Sequence, residues 1–102
     1  MTIPRAMRDI EPGEATLNVT LGGQNGDLIG FVPYDAPADE VKRIAAQAIL
    51  DGDMAGIEAP AGATMESLLA DFADFEIKRF PAAEGRPVSR CFIRPKTGVG
   101  LA

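Results

Sequence analysis

From Ala15 onward the chain alternates. In ATLNVTLGG, Leu17, Val19 and Leu21 are separated by Thr16, Asn18 and Thr20, which is the period of a strand with one wet face. GGQNGD follows, and its Asn25-Gly26 pair predicts the tight turn of a hairpin, because both residues tolerate positive φ. The return stretch DLIGFVPY is more uniformly apolar. Gly30 within it is expected to mark a bulge or a close backbone approach.

The period then changes from two to 3.6. In DAPADEVKRIAAQAILDGD, Val41, Ile44, Ala45, Ala48 and Ile49 form one stripe, with Lys42, Arg43 and Gln47 off it. Asp35 is the expected N-cap, Pro37 suits the first turn, and Asp39 and Glu40 complement the helix dipole. Gly52 ends the run as a left-handed cap. A helix over 36–50 is therefore predicted. The segment 53–63, rich in Gly, Ala and Pro, reads either as a loop or as a short strand around Ile57. A second, shorter helix is predicted over 64–74, capped by Thr64 and burying Met65, Leu68, Leu69 and Phe72. FEIKRF and VSRCFIR then read as a second hairpin around AAEGRP, and pairing should stop near Arg94 because Pro95 cannot donate.

Two hairpins flanking an amphipathic helix predict an α+β roll, a mixed sheet with one main helix across a face. The expected layout is an N-terminal arm over 1–14, a domain over 15–95, and a tail over 96–102. At 102 residues this is one domain with one modest core.

Composition narrows the function classes. The chain has 15 acidic and 10 basic residues, for a net charge of −5. That balance argues against non-specific attraction to nucleic acid or anionic lipid. No window is apolar for long enough to span a bilayer, and the opening residues lack the core of a secretion signal, so the expected location is cytoplasmic. Histidine is absent and Cys91 is alone. The commonest general base and metal ligand are thereby missing, together with any internal disulfide. No catalysis, metal or cofactor is expected. Cys91, beside Phe92 and Ile93, reads as a small buried hydrophobe.

The run TLNVTLGGQNGDLIGFVPYDAPADEVKRIAAQAI resembles the first half of ubiquitin-like β-grasp proteins: a hairpin, a short link bearing Pro and Asp, and a helix with a Val-Lys-x-x-Ile stripe. The last strand with its glycine-bearing tail is loosely similar to them as well. The chain departs from the family in its N-terminal arm, in the helix over 64–74, and in its ending. It has Gly98-Val99-Gly100 and then Leu101-Ala102 in place of a terminal Gly-Gly. The resemblance implies a protein modifier of the bacterial ubiquitin-like type. A peptidase would remove Leu101 and Ala102, and the exposed Gly100 carboxylate would be activated and conjugated. It further implies E1-like, E2-like and peptidase-type proteins as partners.

Two readings of the tail stay open, a frayed end and a processed handle. The rival function is a non-conjugated β-grasp adaptor or structural assembly protein, of phage or secretion-system type, acting by protein-protein contacts. Lys42, Lys78 and Lys96 are the lysines available as acceptors, or else solvated surface charges. Arg90 and Arg94 share one side of a strand because their separation is even. With Arg79 across the hairpin they would form a basic partner-binding strip, and Phe31 belongs to a second possible recognition face.

Overall fold

In the computed structural model, which describes residues 13–85 and 88–96, the opening alternation becomes β1 (Glu14–Leu21). Ala15, Leu17 and Val19 are fully buried on one face, and Thr16, Asn18 and Thr20 take the other. The expected arm 1–14 lies outside the described residues as far as Pro12.

β2 (Gln24–Leu28) returns antiparallel, with Leu21 opposite Gln24 and Thr20 opposite Asn25. The turn is therefore Gly22-Gly23, at φ 58° and 81°, and not the expected Asn25-Gly26. Two successive left-handed residues match the twist of the flanking strands, and glycine adopts them without a Cβ clash. Gly26 instead sits inside the ladder, where a Cβ would stand 2.7 Å from the Ala55 carbonyl oxygen and 2.8 Å from Ile57 Cγ1. A close approach requires that glycine.

The return strand is broken. Three steps along β1, from Asn18 to Ala15, face five steps along its partner, from Asp27 to Val32. The surplus falls at Ile29-Gly30-Phe31, with Gly30 at φ 136°, so Gly30 marks a bulge-like interruption. A surplus of two preserves the side-chain period, and Val32 of β3 (Val32–Pro33) is buried like Leu28. The Ile29 N–H leaves the ladder and donates to the Asp53 carbonyl at 2.9 Å.

α1 (Ala38–Asp51) buries Val41, Ala45, Ala46, Ala48 and Ile49, with Ile44 partly covered. Pro37, rather than Asp35, is its N-cap, and no side chain caps it. The Pro37 carbonyl accepts from the N–H groups of Glu40 and Val41 at 3.0 and 3.1 Å. Gly52, at φ 79°, closes the helix by donating its N–H to the Ala48 and Ile49 carbonyls.

The 53–63 segment does supply a strand, β4 (Met54–Ala55), which pairs with Leu28 and Asp27 of β2. It precedes Ile57, whose side chain is buried. α2 (Met65–Phe72) is shorter than the 64–74 expected. Thr64 Oγ1 accepts the Ser67 N–H at 3.0 Å, and Ser67 Oγ accepts the Thr64 N–H at 2.9 Å, a reciprocal cap that satisfies two donors. Leu68 and Phe72 are buried.

β5 (Phe75–Phe80) and β6 (Ser89–Pro95) pair antiparallel, and β6 pairs parallel with β1, Leu17 opposite Cys91 and Val19 opposite Ile93. The result is an α+β protein with a mixed six-stranded sheet in the order β4-β2-β1-β6-β5, β3 pairing on β1. Buried residues from both helices join those of the sheet in one cluster on one face. No helix among the described residues is long and apolar enough to cross a membrane.

Gly56 follows β4 at φ 95°, and a Cβ there would run into the Asn25 carbonyl oxygen. Gly56→Ala is expected to cost about 2–4 kcal/mol from strain and clash together. Gly22→Ala, left-handed but with open space around it, should cost only about 1–2 kcal/mol. Urea denaturation of both variants checks this, and equal losses would contradict the tight β2–β4 contact.

Candidate functional site

Parity along β5 and β6 decides which side chains can act together. On the covered face, Arg79 stands opposite Cys91 and Ile77 opposite Ile93. On the open face, Phe80 stands opposite Arg90, Lys78 opposite Phe92, and Glu76 opposite Arg94. Thr16 and Asn18 of β1 extend that face beside Arg90 and Phe92.

The open face therefore carries an aromatic and basic strip. The rings of Phe80 and Phe92 meet edge to face, with centroids 5.6 Å apart and planes at 81°. Arg94 lies over Phe92 with its Cζ 5.3 Å from the ring centre, an attraction between cation and ring quadrupole that orients the side chain. Phe80, Arg90, Phe92 and Arg94 line a shallow recess of about 350 Å³. Phe80 remains 36% exposed. Arg94 Nε is shielded from solvent and has no hydrogen-bond partner among the described residues. Lys78 Nζ approaches Glu76 Oε1 at 3.9 Å on the same face, an exposed pair that contributes little to stability.

Arg79 does not join this strip, contrary to the sequence expectation. Its register places it on the covered side, where Nη1 donates to the Tyr34 carbonyl at 2.7 Å. The bond ties β5 to the link between β3 and α1. Only Arg90 and Arg94 of the expected basic strip come together. Phe31 lines a separate groove with Ile29, Ile44 and Gln47, beside α1.

The β1–β2 half of the open face is polar. Asn18 Nδ2 donates to Asn25 Oδ1 at 3.0 Å and to Asp27 Oδ1 at 2.9 Å. Asn25 Nδ2 donates back to Asn18 Oδ1 and to Thr20 Oγ1, both at 3.0 Å. All four residues are cross-strand neighbours in the hairpin register, Asn18 opposite Asp27 and Thr20 opposite Asn25, so the net follows directly from the Gly22-Gly23 turn.

No protein-family model, curated protein or solved structure matches this chain. The chemistry must be read from the residues themselves. Cys91 is fully buried, and burial pushes its thiol above the ordinary value, with the Arg79 charge pulling weakly the other way. A thiol held neutral and covered makes a poor nucleophile, and its role is packing. The open face can bind, with guanidinium groups for anions and ring edges for apolar side chains.

The remaining expected residues are dispersed. Lys42, on α1, reaches toward the Ala73 carbonyl at 3.5 Å. Lys78 is on the open face, and Lys96 follows β6 and is exposed. Gly98, Gly100 and Leu101 lie outside the described residues. Sequence reading missed Phe80 and Phe92. Their signal was parity, since Phe92 lies midway between Arg90 and Arg94, but Phe80 joins only once the β5–β6 register is known.

The raised Cys91 value has a pH consequence. Below the ordinary thiol range the group is neutral in both folded and unfolded chains, and its contribution is constant. Above it the unfolded chain ionises first, so stability falls as pH rises until the folded thiol also ionises. Denaturation midpoints across alkaline pH should fall more steeply for the native sequence than for Cys91→Ala. Parallel profiles would contradict the buried neutral thiol.

Proposed function

We propose that this chain is a ubiquitin-like modifier of the bacterial type, built on a β-grasp fold and conjugated through Gly100. The observation that carries the reading is the sheet order β2-β1-β6-β5, with β1 and β6 parallel and α1 following the first hairpin. A mixed sheet with one main helix after the first hairpin is what the resemblance to β-grasp proteins implies. The β4 strand and α2 are additions to it. The last strand lies between β1 and the edge strand β5 and ends at Pro95, and the sequence after it continues through Thr97-Gly98-Val99-Gly100. Glycines suit a segment that must enter a narrow enzyme channel, because they present no side chain.

On this reading the partners supply the chemistry. A peptidase-type protein hydrolyses the Gly100–Leu101 peptide bond. An E1-like enzyme joins the freed carboxylate to the α-phosphate of ATP with release of pyrophosphate. An enzyme cysteine displaces AMP to form a thioester, the thiol of an E2-like protein takes over the Gly100 acyl group with release of the first enzyme's thiol, and a target amine displaces the E2-like thiol to form an amide. The domain contributes recognition surfaces, for which the open sheet face is the best candidate. Lys42, Lys78 and Lys96 offer amines if the protein also conjugates to itself.

Co-expression with E1-like, E2-like and peptidase-type proteins, followed by intact mass measurement, tests the proposal. Loss of the mass of Leu101 and Ala102 is expected, together with higher-mass conjugates, and Gly100→Glu should abolish both. A chain that keeps its full mass and forms no conjugate would overturn the modifier reading in favour of the non-conjugated adaptor.

A further inference from the structure

We infer that the outer edge of β5 docks a second copy of this chain, the two β5 strands pairing antiparallel about a two-fold axis at Ile77. Among the described residues the sheet order gives β5 one neighbour, β6, and no strand on its other side. An edge strand directs alternate N–H and C=O groups outward, and a further strand satisfies them. β5 is six residues long, whereas β4 at the opposite edge has only two. The usable edge is therefore β5.

Parity and charge select the register. A two-fold axis normal to the sheet keeps each face on its own side, so residues that meet are an even number apart. An axis at Glu76 sets Glu76 against Glu76, and one at Lys78 sets Lys78 against Lys78. Like charges directly opposite destabilise a strand pair. An axis at Ile77 instead sets Glu76 of each copy against Lys78 of the other, twice, on the open face. On the covered face the two Ile77 side chains meet, and Phe75 faces Arg79 of the second copy. Axes farther along the strand shorten the overlap. Charges on an edge ordinarily discourage pairing, but here the same two residues oppose the flanking registers and favour this one.

The side chains are placed for it. Glu76 and Lys78 keep 28% and 44% of their side-chain surface, with Nζ and Oε1 3.9 Å apart along the strand. Glu76 also stands opposite Arg94. Pairing does not require its carboxylate to be free, because an ionised carboxylate accepts several hydrogen bonds at once. Phe75 and Ile77 pack at the margin of the core and are only partly buried, and a second β5 covers more of them. Contact along one short strand makes a small interface, so the association is weak. Two copies thus joined present their open faces on the same side of one continuous sheet.

Self-pairing does not depend on tail processing: an untrimmed chain can still associate, so mass and association measurements fail separately. Sedimentation equilibrium of the full chain tests it, with the amide spectrum checking the fold of each variant. The average mass is expected to rise from that of one 10.7 kDa chain toward twice that value between about 10 µM and 1 mM. Glu76→Lys and Lys78→Glu should each weaken association about tenfold, since either brings four like charges together at the axis. An equimolar mixture of the two variants should restore it, because each then complements the other. The double variant carrying both substitutions should associate like the native sequence. Should Glu76→Lys disturb the amide spectrum, Lys78→Glu alone decides, with its loss partly recovered at about 0.5 M salt, which screens the repulsion. A single-chain mass throughout, or association that neither variant weakens, would overturn the inference. So would two folded variants that fail to rescue each other. Exchange protection of the β5 edge that is independent of concentration would likewise overturn it, by assigning that edge to another segment of the same chain.

Discussion

The parallel pairing of β1 with β6 brings the beginning and the end of the described chain side by side. Leu17 and Val19 meet Cys91 and Ile93 there, and all four are fully buried. Burying each such side chain is worth about 1.5–3 kcal/mol for the larger aliphatic residues. Neither hairpin can cover these residues by itself. A parallel pair cannot be closed by a tight turn, so an intervening crossover is obligatory. Here that crossover contains both helices, and their buried faces seal the side of the sheet that the pairing creates. The covered face, the open face and the position of the chain's exit all follow from this one contact.

Local devices then adjust the sheet around it. The Gly22-Gly23 turn fixes the first register, and the two-residue surplus at Ile29-Gly30 shifts the return strand without turning its side chains over. The interruption lets Ile29 bond to Asp53 and brings β4 against β2, where Gly26 and Gly56 permit backbones to approach closely. At the other edge, Arg79 reaches from β5 to Tyr34 and closes the covered side with a side chain instead of a strand. The open face inherits two chemistries from these registers: an asparagine net on the first hairpin, and rings with guanidiniums on the second.

Much of this was legible in the residues, and the failures have physical causes. The α1 stripe was readable because five apolar positions repeat at 3.6, and α2 because Thr64 offers a cap and Leu68 and Phe72 recur at helical spacing. The Asn25-Gly26 turn was misplaced because that pair satisfies turn chemistry locally, while the glycine's real purpose is a contact with Ala55 and Ile57 distant in sequence. Asp35 was misassigned as a cap because Pro37 opens the helix with its backbone carbonyl alone. Arg79 was grouped with Arg90 and Arg94 by charge, but cross-strand register assigns faces, and no single strand reveals its partner's register. For the same reason Phe80 went unnoticed.

The proposed modifier role and the open sheet face use different parts of this design, the sequence after Pro95 and the side chains along β6. Both presuppose that β6 runs beside β1 in the same direction. Cross-strand backbone nuclear Overhauser contacts in the labelled protein measure that directly. Contacts that ascend together, near Leu17 with Cys91 and near Val19 with Ile93, are expected. Contacts that run in opposite senses along the two strands, or none between them, would contradict the arrangement from which the rest is derived.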